Sequence, residues 1–248
     1  MRTPIVTASW DDGHPLDLRL AELLARYEMP ATFYVPVRNG AYPILGAHDI
    51  RALAGMGMEI GSHTLNHTVL TGLPQERVRT ELRESKCILE DIAGRPVSSF
   101  CYPRGHFNSL VARLVTESGY GLGRTTVAFR TEARFTPARM PVTLQLYRHP
   151  PRIHLKHALK DRNFPGLLAW RRASGFHCNL VALAQALFEH AVETGGVFHL
   201  WGHSWELEEA GLWGTLEDIL RRISNHRGVS YRTNSGVLDA VSNEALKQ

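Results

Sequence analysis

Short β-type runs and amphipathic helical stretches take turns along most of this sequence, and that alternation narrows its possible folds more than any other feature. The run IVTASW (5–10) leads into HPLDLRLAELLARYEM, where Leu16, Leu20, Leu23, Leu24 and Tyr27 recur at helical spacing. PATFYVPV (30–37), MEIGS (58–62) and VSSFCY (97–102) read as further strands. Among the helical segments between them, LPQERVRTELRESKCILEDIAG (73–94) is long and closes on Gly94. GYGLGRTT is a weaker strand, MPVTLQLY (140–147) and GVFHLWG (196–202) are later ones, and GVSYRT is the last. Repeated βα units without a linker, an internal repeat or a low-complexity tract predict an α/β chain. Its parallel sheet closes into one TIM-like barrel over residues 1–248.

The remaining global features keep to that class. Hydrophobic residues make up 44% and charged residues 21% of the 248, enough to bury a sizeable core without covalent staples. Cys87, Cys101 and Cys178 form an odd, widely spaced set, which excludes a disulfide framework and a cysteine zinc knuckle. Reduced thiols, a start without a signal-peptide pattern and no apolar run long enough to span a bilayer predict a cytoplasmic protein. The net charge of +4 is too small to argue for nucleic acid, and no nucleic-acid-binding module is recognisable.

Four polar clusters, WDDG, SHTLNH, YPRG and WGHSWE, each follow a predicted strand. The C-terminal face of a parallel barrel is where such loops converge, so clusters far apart in sequence can share one site. Each cluster alone has a plain explanation: Asp before Gly caps helices and forms turns, and isolated histidine pairs are common surface or core features. Together they make a stronger case. His63 and His67, at i and i+4, with one of Asp11 and Asp12, form a two-histidine, one-carboxylate set that holds a divalent metal with positions left open. The other carboxylate is then free to act as a general base, and the dication offsets the charge of two adjacent acids.

TASWDDG, SHTLNH, FCYPRG and HLWGHSWE, in this order, resemble the polysaccharide deacetylases with NodB homology, carbohydrate esterase family four, over roughly residues 5–126 and 195–240. The resemblance implies a distorted (β/α) barrel and metal-dependent hydrolysis of an N-acyl amide, acetyl or formyl, on an amino-sugar or polysaccharide-related substrate. It makes Asp11 the general base and Asp12, His63 and His67 the metal ligands. Arg104 stands where a backbone N–H helps to hold the oxyanion. Cys101 departs from the pattern, since an arginine that orients the base is expected there; Arg104 and Arg124 are the candidates to replace it. His203 matches the late histidine that protonates the leaving amine, with His199 as its competitor on the same strand face. Position at the strand's C-terminal end favours His203. Zinc is the default ion, with cobalt, nickel, manganese and iron compatible with the same donors. Trp10, Trp201, Trp205 and Trp213 are candidates for stacking on a sugar or for core packing.

One segment falls outside these motifs. Between about 148 and 178 the cations Arg148, Arg152, Lys156, Lys160, Arg162, Arg171 and Arg172 face Asp161 alone, and FPGLLAW adds an apolar knot. It reads as a basic insertion without a convincing apolar stripe, so as a solvated excursion or an oligomer contact. The sharper expectation is an anion-binding lid or peripheral membrane contact for a phosphate- or lipid-linked substrate, with Arg171 and Arg172 setting specificity. Two alternatives to the deacetylase stay open: hydrolysis of a cyclic amide (ureide or imide) on a similar barrel, and a non-catalytic carbohydrate-binding barrel.

Overall fold

The structure, a computed structural model, describes residues 2–176 and 179–245. Strands β1 (Ile5–Asp11), β2 (Ala31–Val35), β3 (Glu59–Ser62), β4 (Ser99–Cys101) and β5 (Leu122–Arg124) alternate with helices α1 (Asp17–Arg26), α2 (Ala47–Gly55), α3 (Gln75–Ala93) and α4 (Ser109–Glu117). The second part runs β6 (Leu144–Gln145), α5 (Pro151–Lys160), α6 (Phe164–Ser174), α7 (Leu180–Thr194) and β7 (Val197–Gly202). It ends with α8 (Ser204–Glu209), α9 (Trp213–Ile223), β8 (Ser230–Tyr231) and α10 (Asn234–Ala245).

The sheet is parallel throughout, in the order β5-β4-β3-β2-β1-β7-β6, with β8 paired to the start of β1. Every residue of β1, β2 and β7 is buried, as helices on the outside and side chains on the inside require. The sheet curls until its edges approach: Met140 forms a parallel bridge with Arg124, and Thr143 N donates to His199 O on the other side. The expected run 140–147 is thus the seam of a distorted barrel, although only Leu144 and Gln145 form regular strand.

Local signals behave as the sequence predicts. Leu20, Leu23 and Leu24 of α1 are buried, and α3 ends where Gly94 turns into the left-handed region at φ 66°, its N–H donating to Glu90 O. No helix among the described residues is long and apolar enough to cross a membrane.

The insertion departs from expectation. It folds as two helices rather than a loose excursion, and α6 packs on α7. Trp170 is buried and stacks on Phe129 with ring centroids 5.5 Å apart and planes 3° from parallel. The apolar face is short and aromatic, so a stripe sought at Ile153, His157 and Lys160 misses it. His177 and Cys178, at the end of the insertion, lie outside the described residues.

Candidate active site and metal centre

The mouth of the barrel holds a cavity of about 350 Å³. Asp11 ends β1, and Asp12 and Gly13 turn the chain away with φ of 77° and 59°. A Cβ on Gly13 would stand 2.8 Å from Val35 Cγ1 in a backbone region that side chains rarely adopt, which explains the glycine behind the two acids. Thr64, His67 and Arg104 also have positive φ, at 72°, 50° and 56°. Such strained residues gather at sites that the surroundings hold in place.

The structure brings Asp12, His63 and His67 together. Asp12 Oδ1 lies 3.1 Å from His67 Nε2 and 3.6 Å from His63 Nε2, and their ligand atoms all lie within 4.8 Å of one another. The other oxygen, Oδ2, accepts the Trp205 indole N–H at 3.1 Å. His63 Nδ1 is 2.9 Å from Cys101 O, an atom that only accepts, so Nδ1 carries the hydrogen and Nε2 presents its lone pair. Burial lowers the His63 pKa to about 4, which keeps that lone pair free. Burial pushes the Asp12 carboxyl up, but the His67 hydrogen bond and the charges of His203 and His63 outweigh it, and the group stays ionised. The loop is clamped from behind by the buried Glu81 of α3, which accepts from Asn66 N at 3.0 Å and Asn66 Nδ2 at 2.7 Å. Two imidazoles and a carboxylate, one imidazole fixed from behind, fit a divalent metal. A second set, Asp11, His63 and Cys101, is equally close. It fits poorly, because burial holds the Cys101 thiol protonated and a thiol binds metal as thiolate.

Asp11 has a different partner. The guanidinium of Arg124 donates to Asp11 Oδ1, and Cys101 Sγ approaches Oδ2 at 3.6 Å. Arg124 is fully buried, with its guanidinium 4.8 Å from the Trp201 ring centroid and 5.1 Å from that of Tyr34. Of the two arginines considered in place of one at Cys101, Arg124 is the one that bonds to Asp11. Arg104 lines the cavity with an exposed side chain, in a turn whose internal bonds come from Gly105 N and His106 N and leave its own N–H outside them.

The two late histidines separate cleanly. His203 lines the cavity, its Nδ1 2.7 Å from Glu206 Oε2 and its Nε2 3.8 Å from Asp12 Oδ2. Burial lowers its pKa, but the Glu206 bond and charge override this and raise it to about 9. His199 sits in β7 beneath the cavity, 2.8 Å from Ser9 Oγ and 3.3 Å from Pro141 O. Pro141 O accepts from Nδ1, so Nε2 accepts from the Ser9 hydroxyl; burial and then Arg124 lower its pKa to about 3. Trp201 and Trp205 line the cavity, and Trp205 stacks on Tyr42 at 4.6 Å. Trp10 is core, and Trp213 packs under Arg19 on another face.

Sequence reasoning missed several residues of the site. Glu206 was in view, three positions after His203, a spacing that brings side chains together on a helical turn. The cavity wall formed by His149, His154, His157 and Ala158 came from the insertion, whose histidines gave no motif. His149 Nε2 is 2.9 Å from Gln145 Oε1, and Gln145 Nε2 reaches Glu206 Oε2 at 3.4 Å, which ties that wall to His203. Arg171 and Arg172 do not line the cavity, contrary to the lid expectation; Arg172 borders a separate groove between α6 and α7.

The family model described as "Polysaccharide deacetylase" matches residues 1–123. Over these residues the chain matches the polysaccharide deacetylase family. The peptidoglycan-N-acetylglucosamine deacetylase of Bacillus cereus is 28% identical over 119 residues, 47% of this chain and 54% of its own length. YxkH of Bacillus subtilis, named for the same family, is 28% identical over 123 residues, 49% of this chain and 44% of its own length. The chain therefore spans about half the length of these relatives. A solved Mycobacterium smegmatis structure named for the family shares the fold with a TM-score of 0.64 and 16% identity, covering 98% of this chain and 92% of that one. The family match holds Asp11, Asp12, His63, His67 and Arg104; Arg124, His203 and Glu206 lie beyond it.

Proposed function

We propose that this polysaccharide deacetylase family member is a metal-dependent hydrolase that removes an acetyl or formyl group from the nitrogen of an amino-sugar derivative. The observation that carries the reading is one cavity holding a triad with the donors for a divalent metal, a carboxylate held by a buried arginine and a histidine paired with a carboxylate. A divalent ion on Asp12, His63 and His67, zinc first, would supply Lewis acidity to the acyl carbonyl and to the attacking water. Cobalt, nickel, manganese and iron suit the same donors.

The residues divide the proton traffic. Asp11 takes a proton from the attacking water, and Arg124 fixes its carboxylate by holding Oδ1. The Arg104 N–H donates to the oxyanion that develops on the acyl oxygen. His203, protonated at neutral pH, donates from Nε2 to the departing nitrogen, and Glu206 holds Nδ1. Trp201, Trp205 and Tyr42 offer aromatic faces to a sugar ring. A cytoplasmic location belongs to the same reading, and the exposed free thiol of Cys87 suits a reducing compartment.

The test is metal content of the purified protein together with amine release from N-acetyl and N-formyl amino sugars, with small cyclic amides as the rival panel. Turnover of the sugars in step with metal occupancy is expected. Turnover confined to cyclic amides would replace the reading, and full metal occupancy without hydrolysis of either panel would make the protein a binding barrel.

A further inference from the structure

The two helices of the insertion present an outer surface that the proposed reaction does not use. Among the described residues, five of the seven exposed large hydrophobics lie here: Leu155, Leu159, Phe164, Leu168 and Phe176, with Leu159 at 55% and Phe164 at 63% exposure. In a soluble monomer such side chains are usually scattered, so their concentration in one short segment marks a contact surface.

The helical period sorts the residues of α5. At 100° per residue, Leu155, Leu159, Arg152, Lys156 and Lys160 fall together on one face. His154, Ala158 and His157 fall on the other, and those three line the cavity. In α6, Phe164, Leu168, Arg171 and Arg172 share a face, whereas Trp170 points inward and is buried. Both helices thus pair bulky apolar side chains with cations on their outer faces. None of the cations from Arg148 to Arg172 forms an ion pair among the described residues. Asp161, the segment's one acid, lines the cavity.

On α5 and at Phe164, apolar side chains bordered by Lys and Arg match a surface that is anionic outside and apolar a few ångströms in, whereas Leu168 and Arg172 border a groove shared with Glu132, Glu189 and Glu193. We infer that α5 and α6 dock the protein on an anionic lipid bilayer through Leu155, Leu159, Phe164 and the flanking cations. The charge sign selects a bilayer over a second copy of the chain, because two identical basic faces would repel. Docking in this way puts α5 between the bilayer and the cavity, which lies on the helix's other face. The inference does not depend on deacetylation and is tested without turnover.

The experiment is co-sedimentation of the full chain with vesicles of phosphatidylcholine alone and of phosphatidylcholine and phosphatidylglycerol in equal parts. Binding to the mixed vesicles, falling as salt is raised, is expected; pure phosphatidylcholine should retain little. Lys156→Glu with Lys160→Glu should weaken binding at least about tenfold, and Lys156→Arg with Lys160→Arg should preserve it. Leu159→Glu with Phe164→Glu should also release the protein, with an unchanged thermal melt because both side chains are exposed. No binding to the mixed vesicles at low salt, or variants that bind like the parent, would overturn the inference. So would a chain that sediments as a dimer and is made monomeric by the Leu159 and Phe164 changes, since the face would then be covered by its own copy.

Discussion

The cavity has two walls built on opposite rules. The wall from the ends of β1, β3 and β4 is strained, charged and hydrogen-bonded: Asp12, His67 and Arg104 sit at positive φ, and Asp11 holds a buried arginine. The wall from α5 is helical, and its imidazoles pack on rings, with His154 5.1 Å from Phe129 and 5.0 Å from Trp170. A wall that strains its backbone to fix donor atoms is suited to chemistry. A wall of rings packed edge to face on a surface helix is suited to fit. On the proposed function, the difference separates catalysis from selectivity, so that each wall can be broken without the other.

The largest effects belong to the strained wall. Asp12→Ala should strip the bound metal, measured as metal content after dialysis, and abolish turnover. Asp11→Asn should keep the metal and lose about 10²–10⁴-fold in kcat, the usual range for a general base. Metal retained in the first, or ordinary rates in the second, would exchange or remove these roles.

Next come the residues that link the walls. His203→Gln should lower kcat about 10²-fold and Glu206→Gln about tenfold, both with KM little changed, because proton donation acts in the transition state rather than in substrate binding. An equal rise in KM for Glu206→Gln would make it a binding residue.

These residues also mark how far the sequence could be read. The barrel and the strand-end address of Asp11, Asp12, His63 and His67 were legible because hydrophobic period and motif spacing are local signals. The partner of Asp11 was narrowed only to Arg104 or Arg124. Arg124 ends β5, 113 positions from Asp11, and nothing in GRTT tells a buried guanidinium from a surface one. The choice between His203 and His199 was legible only as position along a strand, and the environments that separate them come from Glu206 on one side and from Ser9 and Pro141 on the other. The insertion was hardest, since its inner face is built from histidines that no apolar stripe reveals.

His199 gives a prediction in stability rather than rate. Its pKa falls from 6.5 in the unfolded chain to about 3 in the fold, so below pH 6.5 the unfolded chain takes up a proton that the fold refuses. Stability from this group is complete above pH 6.5 and drains away as pH falls toward 3. Between pH 7 and pH 5 the loss is about 2 kcal/mol at a slope of about 1.4 kcal/mol per unit. Urea melts at the two pH values should show His199→Gln spared most of that loss. An identical loss would mean that His199 titrates normally and is more open to water than its two hydrogen bonds suggest.

The smallest effect tests the α5 wall directly. His157 lines the cavity from an exposed position, with its ring 6.5 Å from His149, so truncating it leaves no buried void. If this wall serves fit alone, His157→Ala removes at most one hydrogen bond that ground state and transition state share. KM for the best amino-sugar substrate should then rise about two- to tenfold, the worth of one such bond, while kcat and metal content hold. A fall in kcat at constant KM would carry the effect along His149, Gln145 and Glu206 to His203. The two walls would then be one machine, because an imidazole on α5 would be steering the proton that leaves from His203, at the start of α8.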